Sequence, residues 1–412
     1  MAYSVEEAKK LVIEAGLKLK NEGLIVRTWG NISARISDTQ FVITPSGKAY
    51  ENLSPDDIVV VNIKKCTYEG DIKPSSECGI HADVYAMRPE VDFVVHTHQT
   101  YASVVSILGE EIELSEDEKK FLGEKIPCAV YGMSSSDPLR KQVKKALKKY
   151  PECKSMLLRN HGVLCMGEDF DNAFEISACL EQVCRYKYEM FTEGFARIDV
   201  ADNLDMGEID QTAEEEEAEE ADLKADGYID YGFSHIMGNE ITLSLGEDEF
   251  VFNKGDKKPV GKSIFKRKLN KIALLHSKIY EDRDISCIYH VTLPNIVDIS
   301  TKSKGFDAYI DDMAQIVGEN IKRIGKIGKK PHFESPSAIM KGLKNNSAVL
   351  IAGQGAICVG SSESDVEATA YVLEKGCMAA KLAMCNPNAK AVPTRIAKKE
   401  RKFYKETYSK LK

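Results

Sequence analysis

The chain carries a partial copy of itself, and that limits the folds open to it more than any other feature. Residues 93–106, FVVHTHQTYASVVS, are matched by CIYHVTLPNIVDIS at 287–300, an offset of 194. Residues 157–167, LLRNHGVLCMG, are matched by LIAGQGAICVG at 350–360, an offset of 193. Leu180-Glu181 and Cys184 answer Leu373-Glu374 and Cys377 in the helices that follow. Two pairings in the same order at nearly one offset mean a module of roughly 190 residues used twice. On the same reasoning FVITPSG at 41–47 is aligned with FVFNKGD at 250–256.

Within the module, secondary structure alternates in type. Ala8, Leu11, Val12, Ala15 and Leu19 fall at helical spacing, so residues 5–20 are expected to form an amphipathic helix. FVIT (41–44), IVVVNI (58–63) and FVVHTH (93–98) are β-rich runs, and YASVVSI (101–107) turns back into helix. Ser76 to Met87 is expected to be helical with Glu77 in its first turn; SMLLRNHGVLCMG is strand, tight turn and strand, followed by a helix from Phe170 to Phe191. Helices around a β centre imply a layered α/β domain, repeated twice.

Between the copies, residues 205–226 hold eleven acids and one lysine. Such a run cannot pack and is expected to be a linker, dividing the chain into domains at 1–204 and 227–412. The chain's net charge is −8 and the run alone accounts for −10, leaving a body of +2 with no global attraction for nucleic acid. The basic tail, nine Lys/Arg against two Glu over 389–412, is expected to be the solvated face of a C-terminal helix. No stretch approaches the roughly 18 consecutive apolar residues of a membrane span. Eleven cysteines without a CxxC pair, behind an N-terminus charged from its sixth residue, are expected to be reduced thiols in a cytoplasm.

Eight histidines are present, four of them in the first copy. His96 and His98 stand two apart at the end of a strand, so their side chains share a face, which is a metal-ligand spacing. His161, in the turn Asn160-His161-Gly162, is the candidate third ligand; by itself an HxH on a strand is as well explained as a half-exposed polar face. The second copy is a control: His96 is matched by His290, but His98 by Thr292 and His161 by Gln354. The scaffold persists there while the ligand set has gone, so the histidines are not a requirement of the fold. Pro74-Ser75-Ser76 ahead of Glu77 suits a helix N-terminus able to hold an anion, or simply a capped helix. Thr44-Pro45-Ser46-Gly47 and Gly30-Asn31 extend it to a composite phosphate pocket.

TWGNISAR (28–35), ITPSG (43–47), PSSECGIH (74–81), VVHTH (94–98), KIPCAVYG (125–132) and RNHGVL (159–164) together resemble the class II aldolase/adducin family. They are similar to its zinc-dependent fuculose-phosphate and rhamnulose-phosphate type aldolases, densely over residues 5 to 195; the second copy is a degenerate one. The resemblance implies two tandem layered α/β/α domains with a mostly antiparallel central sheet. It implies Zn²⁺, or another divalent ion, on His96, His98 and His161, with Glu77 as the catalytic acid–base. Gly30, Asn31, Ser46, Gly47, Ser75 and Ser76 would contact phosphate and substrate, and His81 would be structural support. The implied reaction is reversible aldol cleavage of a small ketose phosphate to dihydroxyacetone phosphate and an aldehyde, by a cytoplasmic homo-oligomer, either a dimer of two-domain chains or a tetramer. A sugar-phosphate 4-epimerase and a non-catalytic adducin-like scaffold are the alternatives; family epimerases carry Asp where this chain has Glu77, which favours the aldolase. The family's aldolases also use a tyrosine after the HxH helix as general acid. The stretch 109–124 has none, which leaves Tyr404 and Tyr408 of the tail as candidates.

Overall fold

The computed structural model describes residues 3–25, 27–198, 224–225, 228–257, 259–260, 267–328 and 333–407. The acidic run lies outside the described residues apart from Lys224-Ala225, and so does Tyr408. The chain divides into two compact units. The first comprises Met1–Phe195 together with Tyr309–Asp311 and Leu382–Lys412; the second comprises Ala196–Ala308 and Asp312–Lys381. The first unit therefore incorporates two segments that belong, in sequence, to the second copy.

In the first unit the opening helix, Val5–Asn21, follows the expected pattern. Ser4 caps it by accepting from the Glu7 N–H at 3.2 Å, Glu6 and Glu7 occupy its first turn, and Lys18 and Lys20 its last, each matching the helix dipole. Ala8, Val12, Ala15 and Leu19 are buried. The sheet has seven strands in the order Val59–Asn62, Gln40–Ile43, Gly30–Arg35, Phe93–Thr97, Gly162–Gly167, Ser155–Leu158, Cys128–Ala129. All neighbours are antiparallel except the last pair. One face is covered by Cys78–Met87 and Asp137–Lys149, which share a core with Phe41, Ile43, Val61, Met156 and Leu164. Removing such apolar surface from water is the main driving force of folding.

The second unit repeats this plan. Its eight strands run Asp248–Asn253, Glu240–Leu245, Phe233–Met237, Cys287–Val291, Gly355–Gly360, Ala348–Ile351, Asn320–Ile324, Gly305–Asp307. Only Asn320–Ile324 and Ala348–Ile351 are parallel. The two mixed sheets, layered with helices, are the fold class expected from the sequence. One alignment is corrected. Glu240–Leu245, and not the strand containing FVFN, occupies the place that Gln40–Ile43 has in the first sheet; FVFN is the outer strand, answering Val59–Asn62. A tight turn at Gly246 (φ 57°) joins these two strands directly. Among the described residues no helix is long and apolar enough to cross a membrane.

Register fixes where chemistry can occur. Gly30 pairs with Thr97 and Asn31 with His96, while Thr97 pairs in turn with Val163. The first residue of one strand, the last of its neighbour and the second of the next therefore meet at one end of the sheet.

Candidate metal centre

That end of the sheet holds the three histidines. His96 is the penultimate residue of its strand, His98 follows the strand, and His161 precedes Gly162–Gly167 in a turn whose Asn160 is left-handed (φ 60°). Gly162 is required by crowding, because a Cβ there would lie 2.4 Å from the Thr97 carbonyl and 3.1 Å from the His98 ring. One nitrogen from each histidine lies within 4.8 Å of the others. The His96 and His161 rings stack at 5.1 Å, and His98 meets His161 edge-on at 4.6 Å.

The hydrogen bonds decide which nitrogens are available. His96 Nδ1 lies 2.7 Å from the Val163 carbonyl, which can only accept, so Nδ1 carries the proton and Nε2 the lone pair. That Nε2 is 3.1 Å from His98 Nε2 and 3.0 Å from Glu77 Oε2. His161 Nδ1 lies 3.1 Å from Asp311 Oδ2, a carboxylate belonging to the same unit. His161 Nε2 is buried without a hydrogen-bond partner, 3.3 Å from Glu77 Oε1 but outside hydrogen-bonding geometry. Lone pairs facing a carboxylate repel unless a cation stands among them. Burial pushes the His161 pKa down, but Glu77 and Asp311 outweigh it and hold it well above the ordinary value. Burial likewise pushes Glu77 up, yet His161 and His96 hold it well below the usual carboxylate range. Both shifts express a buried spot that favours positive charge. Three imidazoles with an orphaned nitrogen and two flanking carboxylates fit a divalent ion.

Glu77 sits at the N-cap of Cys78–Met87 and not in the first turn of a longer helix. Its own side chain caps nothing, and the difference has a local cause. Pro45 and Pro74 form a β-bridge, the Ser46 N–H donates to the Lys73 carbonyl, and the Ser75 N–H to the Thr44 carbonyl. Residues 73–75 are thus held extended beside Thr44–Gly47, and the helix can begin only after them. This also brings Ser46, Gly47, Ser75 and Ser76 into two adjacent segments. Ser75 Oγ accepts the Glu77 N–H at 3.3 Å, whereas exposed Ser76 bonds Ser135 Oγ at 2.8 Å. A cavity of about 180 Å³ beside Glu77 is lined by Ser76, Ser135 and Arg140 among others. Gly30, φ 130°, lies against the His96 carbonyl, 2.6 Å from where a Cβ would stand.

Glu77 Oε1 accepts the Ser135 backbone N–H at 3.1 Å, and Oε2 faces Asn31 Nδ2 at 3.5 Å. With its amide toward a carboxylate, Asn31 offers Oδ1 to His81 Nε2 at 2.5 Å, so that nitrogen bears the proton. His81 Nδ1 then accepts from Ser33 at 2.6 Å, and Tyr85 donates to Ser33 at 2.8 Å. His81 is fully buried, and burial followed by the nearby His96 pushes its pKa down to about 3. It is a neutral support for Asn31. The tail contributes too: Thr394–Glu406 is a helix, but Glu400 is the residue it directs to this region. Glu400 accepts from the Ser134 N–H at 2.9 Å and from its hydroxyl at 2.8 Å, next to the Ser135 that holds Glu77. Tyr404 is half-buried on the same helix.

Ser135, Asp311 and Glu400 had no signal in the sequence, since each acts through a backbone group or a distant segment. Tyr85 had one: HADVY (81–85) recurs as HSKIY (276–280).

The chain is 28% identical over 202 residues to a 5-deoxy-D-ribulose 1-phosphate aldolase of Bacillus thuringiensis serovar kurstaki, covering 49% of this chain and 93% of that protein. It is 31% identical over 189 residues to an L-fuculose phosphate aldolase of Haemophilus influenzae, covering 46% and 85%. A solved L-fuculose 1-phosphate aldolase matches with 31% identity over 45% of this chain and 88% of that one, at a TM-score of 0.40. The model of the Class II Aldolase and Adducin N-terminal domain matches twice, at residues 10–188 and 234–380, which together make up most of the chain, and the protein therefore belongs to the class II aldolase and adducin family as a tandem pair.

Proposed function

We propose that the first unit is a zinc-type, metal-dependent aldolase that interconverts a small ketose phosphate with dihydroxyacetone phosphate and an aldehyde. The observation that carries this reading is the convergence of three imidazoles at one sheet end, two of them against the buried Glu77 carboxylate. A divalent ion on His96, His98 and His161 supplies Lewis-acid polarisation of the ketose carbonyl and its neighbouring hydroxyl when bound. Glu77 moves the proton. In the addition direction its carboxylate takes a proton from the hydroxymethyl carbon of dihydroxyacetone phosphate, and in cleavage it returns one to that carbon. Ser135 N–H and Asn31 fix its two oxygens, so the carboxylate keeps one orientation through the transfer. Gly30, Asn31, Ser46, Gly47, Ser75 and Ser76 bind the phosphate and the hydroxyls of the substrate. Along the sequence the catalytic copy is 1–204, 205–226 is the linker and 227–412 the degenerate copy, from which Tyr309–Asp311 and Leu382–Lys412 complete the first folded unit. The chain works in the cytoplasm as a homo-oligomer without nucleic-acid or membrane partners.

The test is a screen of ketose 1-phosphates and ribulose 5-phosphate with purified, zinc-loaded protein. Release of dihydroxyacetone phosphate, abolished by chelation, is the expected result. Interconversion of pentose epimers without cleavage would make it an epimerase, and purification without stoichiometric metal would make it a scaffold.

A further inference from the structure

We infer that Asp311 is the positioning residue of His161: the first copy's metal site takes the carboxylate that orients its third histidine from the second copy of the sequence. The inference rests on the metal reading above. Asp311 is fully buried within the first unit, with Oδ2 3.1 Å from His161 Nδ1 and Oδ1 accepting the Tyr131 hydroxyl at 2.7 Å. A carboxylate accepts only, so it fixes the proton on Nδ1 and leaves the Nε2 lone pair aimed at Glu77 and the other histidines. The contact is built from the backbone outward. The Asp311 N–H donates to the Asn160 carbonyl at 2.8 Å, and Asn160 Nδ2 donates at 2.7 Å to each of the Tyr309 and Lys390 carbonyls. Two segments of the second copy thereby clasp the left-handed turn that presents His161. No residue of 1–195 makes an equivalent contact to His161 Nδ1 among the described residues. In isolation the first copy would lack the group that selects this tautomer.

The test is Co²⁺ affinity, measured on the full chain by competition with a chelator and followed by the visible absorption of the bound ion. Removing an outer partner of a metal-bound histidine costs about 10–100-fold in metal affinity, and Asp311→Ala is expected to lose that much. Asp311→Asn keeps an oxygen acceptor for Nδ1–H and should recover part of it, which a purely structural role does not predict. His98→Ala should bind no Co²⁺. If Asp311→Ala does not fold, Tyr131→Phe, which removes the donor to Asp311, is expected to weaken binding severalfold. Wild-type binding together with unchanged affinity in Asp311→Ala, or in Tyr131→Phe where the former is unfolded, overturns this inference alone. A wild-type chain that binds no Co²⁺ overturns the metal reading with it.

Discussion

The two sheets share a buried polar device and differ in what lies four residues before it. In the first unit Ser33, His81 and Tyr85 form a chain of hydrogen bonds at 2.6 and 2.8 Å; in the second, Ser234, His276 and Tyr280 repeat it at the same distances. Glu181 accepts the N–H groups of Tyr101 and Ala102, and Glu374 those of Asn295 and Ile296. The serine–histidine–tyrosine groups tie a helix to the sheet and the two glutamates tie helix to helix, and a buried polar group left unpaired costs about 1–3 kcal/mol. Both copies keep them. Counting back from His81 reaches Glu77, at a helix N-cap; counting back from His276 reaches Ile272, fully buried inside Arg267–Asp282, which begins earlier. Packing retains what the fold needs, while the position of Glu77, the proposed proton carrier, is taken by an apolar side chain where the helix runs on.

The largest break in the symmetry should come from Glu77→Gln. It preserves size and the hydrogen bond from Ser135 but removes the carboxylate proposed to move the proton, an expected loss of about 10²–10⁴ in turnover. Steady-state rates with zinc content measured alongside check it. Near-full turnover would mean that Glu77 is as dispensable as Ile272, and the proton carrier would have to be sought elsewhere.

Much of this was legible in the sequence, for identifiable reasons. The duplication, the strand–turn–strand around His161 and the HxH spacing are local patterns, and the chain folds them locally. The two segments TPSG and PSSE meet as expected, but the bridge between Pro45 and Pro74 delays the helix and moves Glu77 to its cap. FVFN was displaced by one strand because apolar alternation identifies a strand and not its place in a sheet. In the tail, nine cations draw attention away from Glu400, one of only two acids there and fully buried. Asp311 and Glu400 join the site from 150 and 266 residues away along the chain, and no local pattern marks such contacts.

A smaller effect should appear in acid, where the retained device makes the second unit sensitive. Burial, against the opposing pull of Asp230 and the Tyr231 carbonyl and with the help of His290, pushes the His276 pKa down to about 4. Unfolded, it titrates near 6.5. The unfolded chain therefore binds more protons between these values, so stability rises with pH across that window and is lost as pH falls from about 6.5 to 4. For one histidine this amounts to about 3 kcal/mol. Hydrogen exchange at the buried Ile288 and Ile357 amides, with and without His276→Gln, measures it. An identical pH slope in both proteins would show that His276 is not buried neutral. His81, held near 3, should act in the same direction in the first unit.

The smallest effect is the most discriminating. Thr292→His with Gln354→His restores the three histidines of the first copy to the second, and by residue count alone it should create a second metal site. The orientation of His290 argues otherwise. Its Nε2 lies 2.7 Å from the Gln354 backbone carbonyl and must donate, while Nδ1 accepts the Tyr231 N–H at 3.3 Å. His96 bonds the facing strand through Nδ1 and keeps Nε2 for a ligand; His290 has its ring turned so that both nitrogens are engaged. Both partners are backbone groups, which the two substitutions leave in place, and Ile272 still stands where a carboxylate would attract the ion. The double variant should therefore bind no more zinc per chain than the wild type, for which the proposed site predicts one, counted by metal analysis after dialysis. Two zincs per chain would show that histidine identity is sufficient, and that the turned ring of His290 is a consequence of the lost ligands instead of a barrier to regaining them.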